Sequence, residues 1–334
     1  MTTNLYNLDD DSMRSVLKYL EINEILTLRK VSFNIQWTIE EINPNFNIRS
    51  VCIALETNRI VLTIRIDRHW TIIYRDSHGG QEFQMGCLVS KRKDGQGVFL
   101  ENEDYMDVFA RDLEIILSNR KSVLEEFSIR LDSNEEMSSK LIRTISTALE
   151  SNPRQLQVKE FKMSVYNQAQ IFEIFRCINP DKLKTIKLLK PSGRSDSARL
   201  EVNGACELDQ WKQAEILEME NLIVQDIHQN FTHFKRFDIK VDKITPDDLV
   251  FLKEELKKSA DFVQANISYV SFNDQDNLIE VFPGFEYIPG TIKSCAFKFS
   301  ETKRCLLFLF DPCMSSIEIQ NVKELPKDAH KIEE

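Results

Sequence analysis

"SVCIALETNRIVLTIRIDRHWTIIYRD" (residues 50–76) alternates apolar and polar side chains almost without a break. Val51, Ile53 and Leu55 fall on one parity, then Ile60, Leu62, Ile64 and Ile66, then Trp70, Ile72 and Tyr74. A two-residue period means strands with one buried face, and short polar joints between them make those strands antiparallel neighbours. "ETNR" (56–59), "SHGG" (77–80) and "KDGQG" (93–97) supply the turns. Gly79, Gly80, Gly95 and Gly97 invite a phosphate-loop reading, but no Lys-Ser/Thr pair and no helix start follows them, so hairpin turns are the better account.

Downstream the pattern becomes helix then strand, and the strand repeats. L-x-x-Φ-x-Φ, with Φ apolar, fits "LEEFSI" (124–129), "VKEFKM" (158–163), "LKTIKL" (183–188), "AEILEM" (214–219), "FKRFDI" (234–239) and "FVQANI" (262–267). Helical segments such as "YMDVFARDLEIILSNR", "SSKLIRTISTALESN", "QAQIFEIFRCIN" and "TPDDLVFLKEELKKSA" precede several of them. In the last, Thr245 is the N-cap, Pro246 takes the first position, and Asp247 and Asp248 fill the first turn. One strand and one helix per unit, spaced 20 to 34 residues apart, predict a leucine-rich-repeat-like solenoid with a parallel sheet.

Alternation within those strands sends Phe127 and Ile129 inward, and Glu126, Ser128 and Arg130 to the opposite face. The outward set continues through Lys162, Lys187, Glu218, Arg236, Asp238, Lys240 and Asn266. It mixes signs and lacks aromatic stacking platforms. That suits a protein target better than a small molecule or single-stranded nucleic acid, with a plain solvated sheet face as the other reading.

Upstream, "LDDDSMRSVLKYLEINEILTLRKVS" (8–32) carries two short amphipathic patterns back to back. Met13, Val16, Leu17 and Leu20 share one helical face, with carboxylates at Asp9 to Asp11 for its N-terminus. Asn23 is placed to cap a second helix bearing Ile25, Leu26 and Leu28, and Ser32 a third bearing Phe33, Trp37 and Ile39. Three helices in some forty residues are near the lower limit for folding alone, so they dock either on their own chain or on a partner.

The sequence "NLDDDSMRSVLKYLEINEILTLRKVSFNIQWTI" resembles an F-box, with Asp9 where the motif has proline and Ser32 where it has cysteine. "DLEIILSNRKSVLEEFSI", "LQVKEFKMSVYNQAQIFEIFRCINPDKLKTIKL" and "ELDQWKQAEILEMENLIVQDIHQNFTHFKRFDIKVDKITPDDLVFLKEELKKSADFVQANI" look like the FTH domain of the nematode F-box A family. That resemblance implies a non-enzymatic substrate receptor of an SCF (cullin–RING) ubiquitin ligase. Leu8, Met13, Val16, Leu17, Leu20, Ile25, Leu26, Leu28 and Val31 would then bind the Skp-class adaptor. The cullin–RING ligase would be reached indirectly, and the repeats would hold an unidentified protein target. A sequestering scaffold without degradation is the alternative.

The fold expected is α+β / α/β. It comprises a three-helix F-box over residues 5–45, a short antiparallel β linking segment over 46–100, an FTH-type solenoid over 101–270, a β-rich cap over 271–322 and a polar tail over 323–334.

Bulk composition narrows the classes further. A net charge of −10 argues against nucleic-acid binding as the main activity. The longest apolar run, "CLLFLF" (305–310), is too short to span a membrane. Seven scattered cysteines without C-x-x-C, and a start without signal character, point to a reduced compartment, cytoplasm or nucleus. No cofactor, metal or catalytic set is legible. His228 and His233 lack ligand neighbours at metal spacing, Cys305 and Cys313 lack a histidine, and Trp211 reads as a core anchor.

Overall fold

A computed structural model describes residues 8–42, 47–78, 85–91, 97–118, 123–192, 198–225, 227, 230–273, 278, 282, 293–298, 304–323 and 330–332. Gly79, Gly80, Gly95, His228 and most of the polar tail lie outside the described residues. The chain forms two compact units, Met1–Glu160 with Glu173–Lys182, and Phe161–Phe172 with Leu183–Glu334.

In the first unit, three helices come first: α1 (Asp10–Tyr19), α2 (Ile22–Arg29) and α3 (Phe33–Ile42). Asp9 caps α1 by accepting from the Ser12 N–H at 2.7 Å, and Ser32 Oγ accepts from the Ile35 N–H. The N-cap of α2 is Glu21 and not Asn23; its N–H donates to the Glu24 carboxylate three residues on. Then follow β1 (Ser50–Glu56), β2 (Arg59–Arg65), β3 (His69–His78), β4 (Met85–Lys91), β5 (Gly97–Glu101), α4 (Tyr105–Ser118), β6 (Leu124–Leu131) and α5 (Glu135–Glu150).

The strands β1 to β5 pair successively and antiparallel, in register Ile53↔Leu62, Leu62↔Ile72, Tyr74↔Val89 and Val89↔Val98. The other side of β1 pairs parallel with β6, Ile53 facing Ile129. One parity of each strand therefore contributes to a single apolar floor, and Val51, Ile53, Leu55, Ile60, Leu62, Ile64, Tyr74, Phe127 and Ile129 are all buried. Each such side chain contributes roughly 1.5–3 kcal/mol on burial.

The division between the units runs through β7 (Val158–Ser164) and α6 (Gln168–Phe175). The second unit continues with β8 (Thr185–Leu189), β9 (Ala198–Arg199), α7 (Asp209–Gln213), β10 (Ile216–Val224), β11 (Arg236–Ile244), α8 (Pro246–Lys258), β12 (Gln264–Phe272), β13 (Lys293–Lys298), β14 (Cys305–Asp311), β15 (Ser316–Val322) and β16 (His330–Ile332). β8, β10, β11 and β12 are parallel neighbours, as the repeat predicts. Beyond β12 the ladder turns antiparallel, through β15, β14 and β13.

Trp211 is fully buried edge-on to Phe231 and Phe234, with centroids 6.1 and 5.6 Å away, and its indole N–H donates to the Asn230 carbonyl. A second aromatic cluster joins Phe282 to Phe297, Phe308 and Phe310. In β10, Asn221 takes a φ of 58° where the register with β11 shifts between Glu218 and Ile223. This is a bulge at a residue type that tolerates the left-handed region.

The architecture differs from the one the sequence predicts. The chain is a mixed-sheet protein with more strand than helix, not a three-helix module and a short β linker leading into a solenoid. The "linker" is five antiparallel strands continuing the ladder that contains β6. The strand repeat does not carry one helix per unit: a five-residue α7 precedes β10, and no helix stands between β10 and β11 among the described residues. Nor do α1 to α3 form a free module, since Met13, Leu17, Ile25 and Leu26 are already buried. A period of two looks the same in parallel and antiparallel strands, so alternation could not reveal how far the antiparallel ladders extend.

Candidate docking surfaces

Helix α3 has two apolar stripes. Ile35, Ile39 and Ile42, at i, i+4 and i+7, point into the protein and are buried. Phe33 and Trp37, one turn apart on the other side, are 78% and 58% exposed. Tyr19 at the end of α1 and Val31 before α3 are exposed as well, at 89% and 61%. A helix apolar on both faces has more greasy surface than the described residues cover.

The sequence-derived docking residues divide. Met13, Leu17, Ile25 and Leu26 are buried, Leu8, Val16, Leu20 and Leu28 are partly covered, and Val31 is exposed. Sequence reading grouped Phe33 and Trp37 with Ile39 as one set. The four-residue step from 33 to 37, offset by two from the 35–39–42 series, was the signal that separates the stripes.

These helices are held by a buried ionic node that sequence reading missed. Asp112 of α4 is fully buried and accepts from Lys30 Nζ at 2.6 and 2.8 Å and from the Tyr74 hydroxyl at 2.8 Å. Arg29 lies 3.7 Å from the same carboxylate and donates twice to Glu40 of α3. The Tyr74 hydroxyl is pushed well above its usual range by burial, then by the Asp112 charge and by its hydrogen bond to that carboxylate. Its role there is a neutral donor. The node joins α2, α3, α4 and β3, and no buried side-chain polar atom in it lacks a hydrogen-bond partner, which is the condition for keeping a buried charge.

The second surface is the polar face of the second unit's sheet. Register lines up Lys187, Glu218, Asp238, Asn266 and Glu318 across β8, β10, β11, β12 and β15. Lys187 pairs with Glu218 at 3.2 Å, and Glu318 accepts from the Gln264 and Gln320 amides at 2.6 Å each. Partial burial, opposed by a hydrogen bond from Asn266 and reinforced by Glu218 and Glu220, holds Asp238 above the usual carboxylate range.

Of the outward residues read from the sequence, Arg236 and Asp238 are exposed, and Lys162, Lys187, Glu218, Lys240 and Asn266 are partly covered. In the first unit Arg130 is exposed and Glu126 partly covered. Ser128, on the same parity, is buried, so that face is not open along all of β6.

Chemically reactive arrangements are scarce. The thiols of Cys87, Cys206 and Cys295 are pushed up to about 12 and that of Cys177 to about 11, in each case mainly by burial. His233 bonds the Trp211 carbonyl at 3.0 Å, and burial lowers its pKa. Among the described residues no three His, Cys, Asp or Glu side chains converge as metal ligands. No described helix is long and apolar enough to cross a membrane.

Comparison with known proteins bears on both surfaces. Residues 139–284 match the family model of the FTH domain, which does not reach α1 to α3. The chain is 25% identical over 281 residues to F-box A protein 224 of Caenorhabditis elegans, covering 81% of this chain and 67% of that protein. No solved structure matches. The resemblance read from the sequence is thus borne out: the chain carries an FTH domain at residues 139–284 and is similar over most of its length to a nematode F-box A protein.

Proposed function

We propose that this chain is an F-box-type protein-interaction adaptor. Its N-terminal helices bind the Skp-class adaptor of an SCF ubiquitin ligase, and the polar sheet face of its second unit holds a target protein. The observation that carries this reading is the outward stripe of α3, where Phe33 and Trp37 stand exposed behind a buried Ile35–Ile39–Ile42 stripe. Similarity to an F-box A protein supports the choice of partner. Covering each ring would contribute on the order of 2–3 kcal/mol, so the two would anchor the contact while the rest of the interface offsets the cost of association.

The contribution to ubiquitin transfer would be proximity. The chain would raise the effective concentration of a target lysine near the charged conjugating enzyme and would move no proton itself. Lys187, Glu218, Asp238 and Asn266 would offer the target a polar surface with preset partners, which favours selectivity over raw affinity. Lys162, Arg236 and Lys240 would extend that set within the second unit, and Glu126 and Arg130 would be a separate polar set on the first.

The test is co-elution of the purified full chain with a recombinant nematode Skp-class adaptor, with and without Phe33→Asp plus Trp37→Asp. Wild-type chain should co-elute, and the double variant should lose about a hundredfold in affinity. Equal co-elution of the two overturns the assignment of the docking face. Reversing charge at Arg236, Asp238 and Lys240 should leave adaptor binding unchanged while removing capture of the target.

A further inference from the structure

Strand β5 ends the ladder of the first unit, with β4 its one neighbour among the described residues. Its hydrogen-bond phase follows from Asn102, whose N–H donates to the Met85 carbonyl at 3.0 Å. Antiparallel pairing alternates, so the backbone groups of Val98 and Leu100 turn toward β4, and those of Gly97, Phe99 and Glu101 turn away. The strand "GVFLE" has no proline, no lysine and a single charge at its end, so it lacks the side chains that usually blunt a free edge. At Gly97 an added Cβ would come within 2.8 Å of Leu88 Cδ1 and 2.9 Å of the Val89 carbonyl oxygen. Only glycine fits so tight a pairing.

Beside this edge lies a cleft of about 250 Å³, walled by Leu26, Ile72, Val89 and Val98, the last 43% exposed. The Lys30–Asp112 pair at its floor is saturated. Lys30 Nζ donates to both carboxylate oxygens and to the Leu26 carbonyl, and Asp112 also accepts from Tyr74. The floor therefore offers nothing to a small ionic ligand. Lys91 at the rim differs: it is exposed and has no carboxylate partner among the described residues.

We propose that β5 and this cleft take up an extended segment of a partner protein as an added strand. One apolar side chain of that segment enters beside Val98, and an acidic residue meets Lys91. The edge supplies backbone donors and acceptors in strand register, the cleft supplies a pocket for an alternate side chain, and the unpaired cation sets the sign of the flank. A second copy of this chain is the weaker occupant. A five-residue edge is far short of the roughly 1,200 Å² that a stable pair buries, whereas a short linear segment needs no more than this edge and cleft. Phe33 and Trp37 do not line this cleft, and its use does not rest on the adaptor-docking reading.

The probes are fluorescein-labelled peptides of about eight residues, alternating Val and Thr, with Asp or Lys at both ends; anisotropy is read on the full chain. The Asp-ended peptide should bind about fivefold tighter than the Lys-ended one, and Lys91→Glu should reverse that order. In hydrogen exchange, the amides of Phe99 and Glu101 should slow about tenfold with peptide present. Phe99→Pro removes an outward donor but no bond to β4, and it should abolish binding in a chain that still folds. Three results overturn the proposal: no binding at ~1 mM peptide, equal binding by the Phe99→Pro chain, or an order of preference that Lys91→Glu leaves unchanged. Protection of Phe99 that rises with chain concentration alone, without peptide, overturns it in favour of contact between copies. The Phe33→Asp plus Trp37→Asp variant should bind the peptide normally, so this test and the docking test fail independently.

Discussion

The outward stripe of α3 and the outward rows of β8 to β12 both face solvent, but they are chemically opposite. On the helix, Phe33 and Trp37 have no polar partner to offer, and their gain comes only when water is removed. On the sheet, Lys187 already has Glu218, and Glu318 already has two amides. The first surface would give affinity to any well-shaped apolar groove. The second would accept only a partner that replaces, group for group, the pairs it disturbs. The proposed bridge would divide its labour in this way, with one end shared and the other selective.

Behind the two faces the supports differ in the same way, and the largest predicted effects fall there. The docking helices are keyed by a buried charge. Asp112→Ala strands Lys30 without its carboxylate and should cost about 3–5 kcal/mol, read by thermal unfolding with early loss of protection in α1 to α3. The sheet of the second unit is keyed by an aromatic. Trp211→Ala should cost a similar ~3–5 kcal/mol, but with protection lost first around β10 and β11. If the two variants lost protection in the same order, the contrast between the regions would be broken.

A smaller effect separates binding from folding. Phe33→Asp plus Trp37→Asp changes only exposed side chains and should shift stability by no more than about 0.5 kcal/mol. Leu17→Asp would buy no such separation, because Leu17 is buried and a carboxylate there would unfold the helices.

The smallest effect concerns the sheet face. The folded pKa of Asp238 lies above its unfolded value, so the folded chain holds the extra proton. Its ionisation therefore disfavours the fold above the usual carboxylate range, and that penalty fades as pH falls through the raised folded pKa. Asp238→Asn should stabilise at neutral pH by less than about 0.5 kcal/mol, since the side chain is partly open to water. The gain should vanish in acid, as measured by denaturant midpoints across that range.

What the sequence made legible was local. Asp9, Ser32 and Thr245 act as the N-caps their side-chain chemistry suggests. The alternation over residues 50–76 yields β1 to β3, the strand repeat yields neighbours in β8, β10, β11 and β12, and Trp211 is a core anchor. What escaped was set by partners distant in sequence. Nothing near Asp112 marks it as the acceptor for Lys30, 82 residues away. β12 pairs with β15, not with the next strand in sequence, because a period of two carries no information about which strand comes alongside. The two stripes of α3 were present in the spacing, but apolar residues on both faces read as one buried helix until burial distinguishes them.

Hydrogen exchange of the full chain with and without a recombinant Skp-class adaptor tests the central claim most directly. The account predicts new protection over residues 31–40, centred on Phe33 and Trp37, with β10 to β12 unchanged. Protection confined to the sheet face, or none at α3 in a complex that forms, would contradict it.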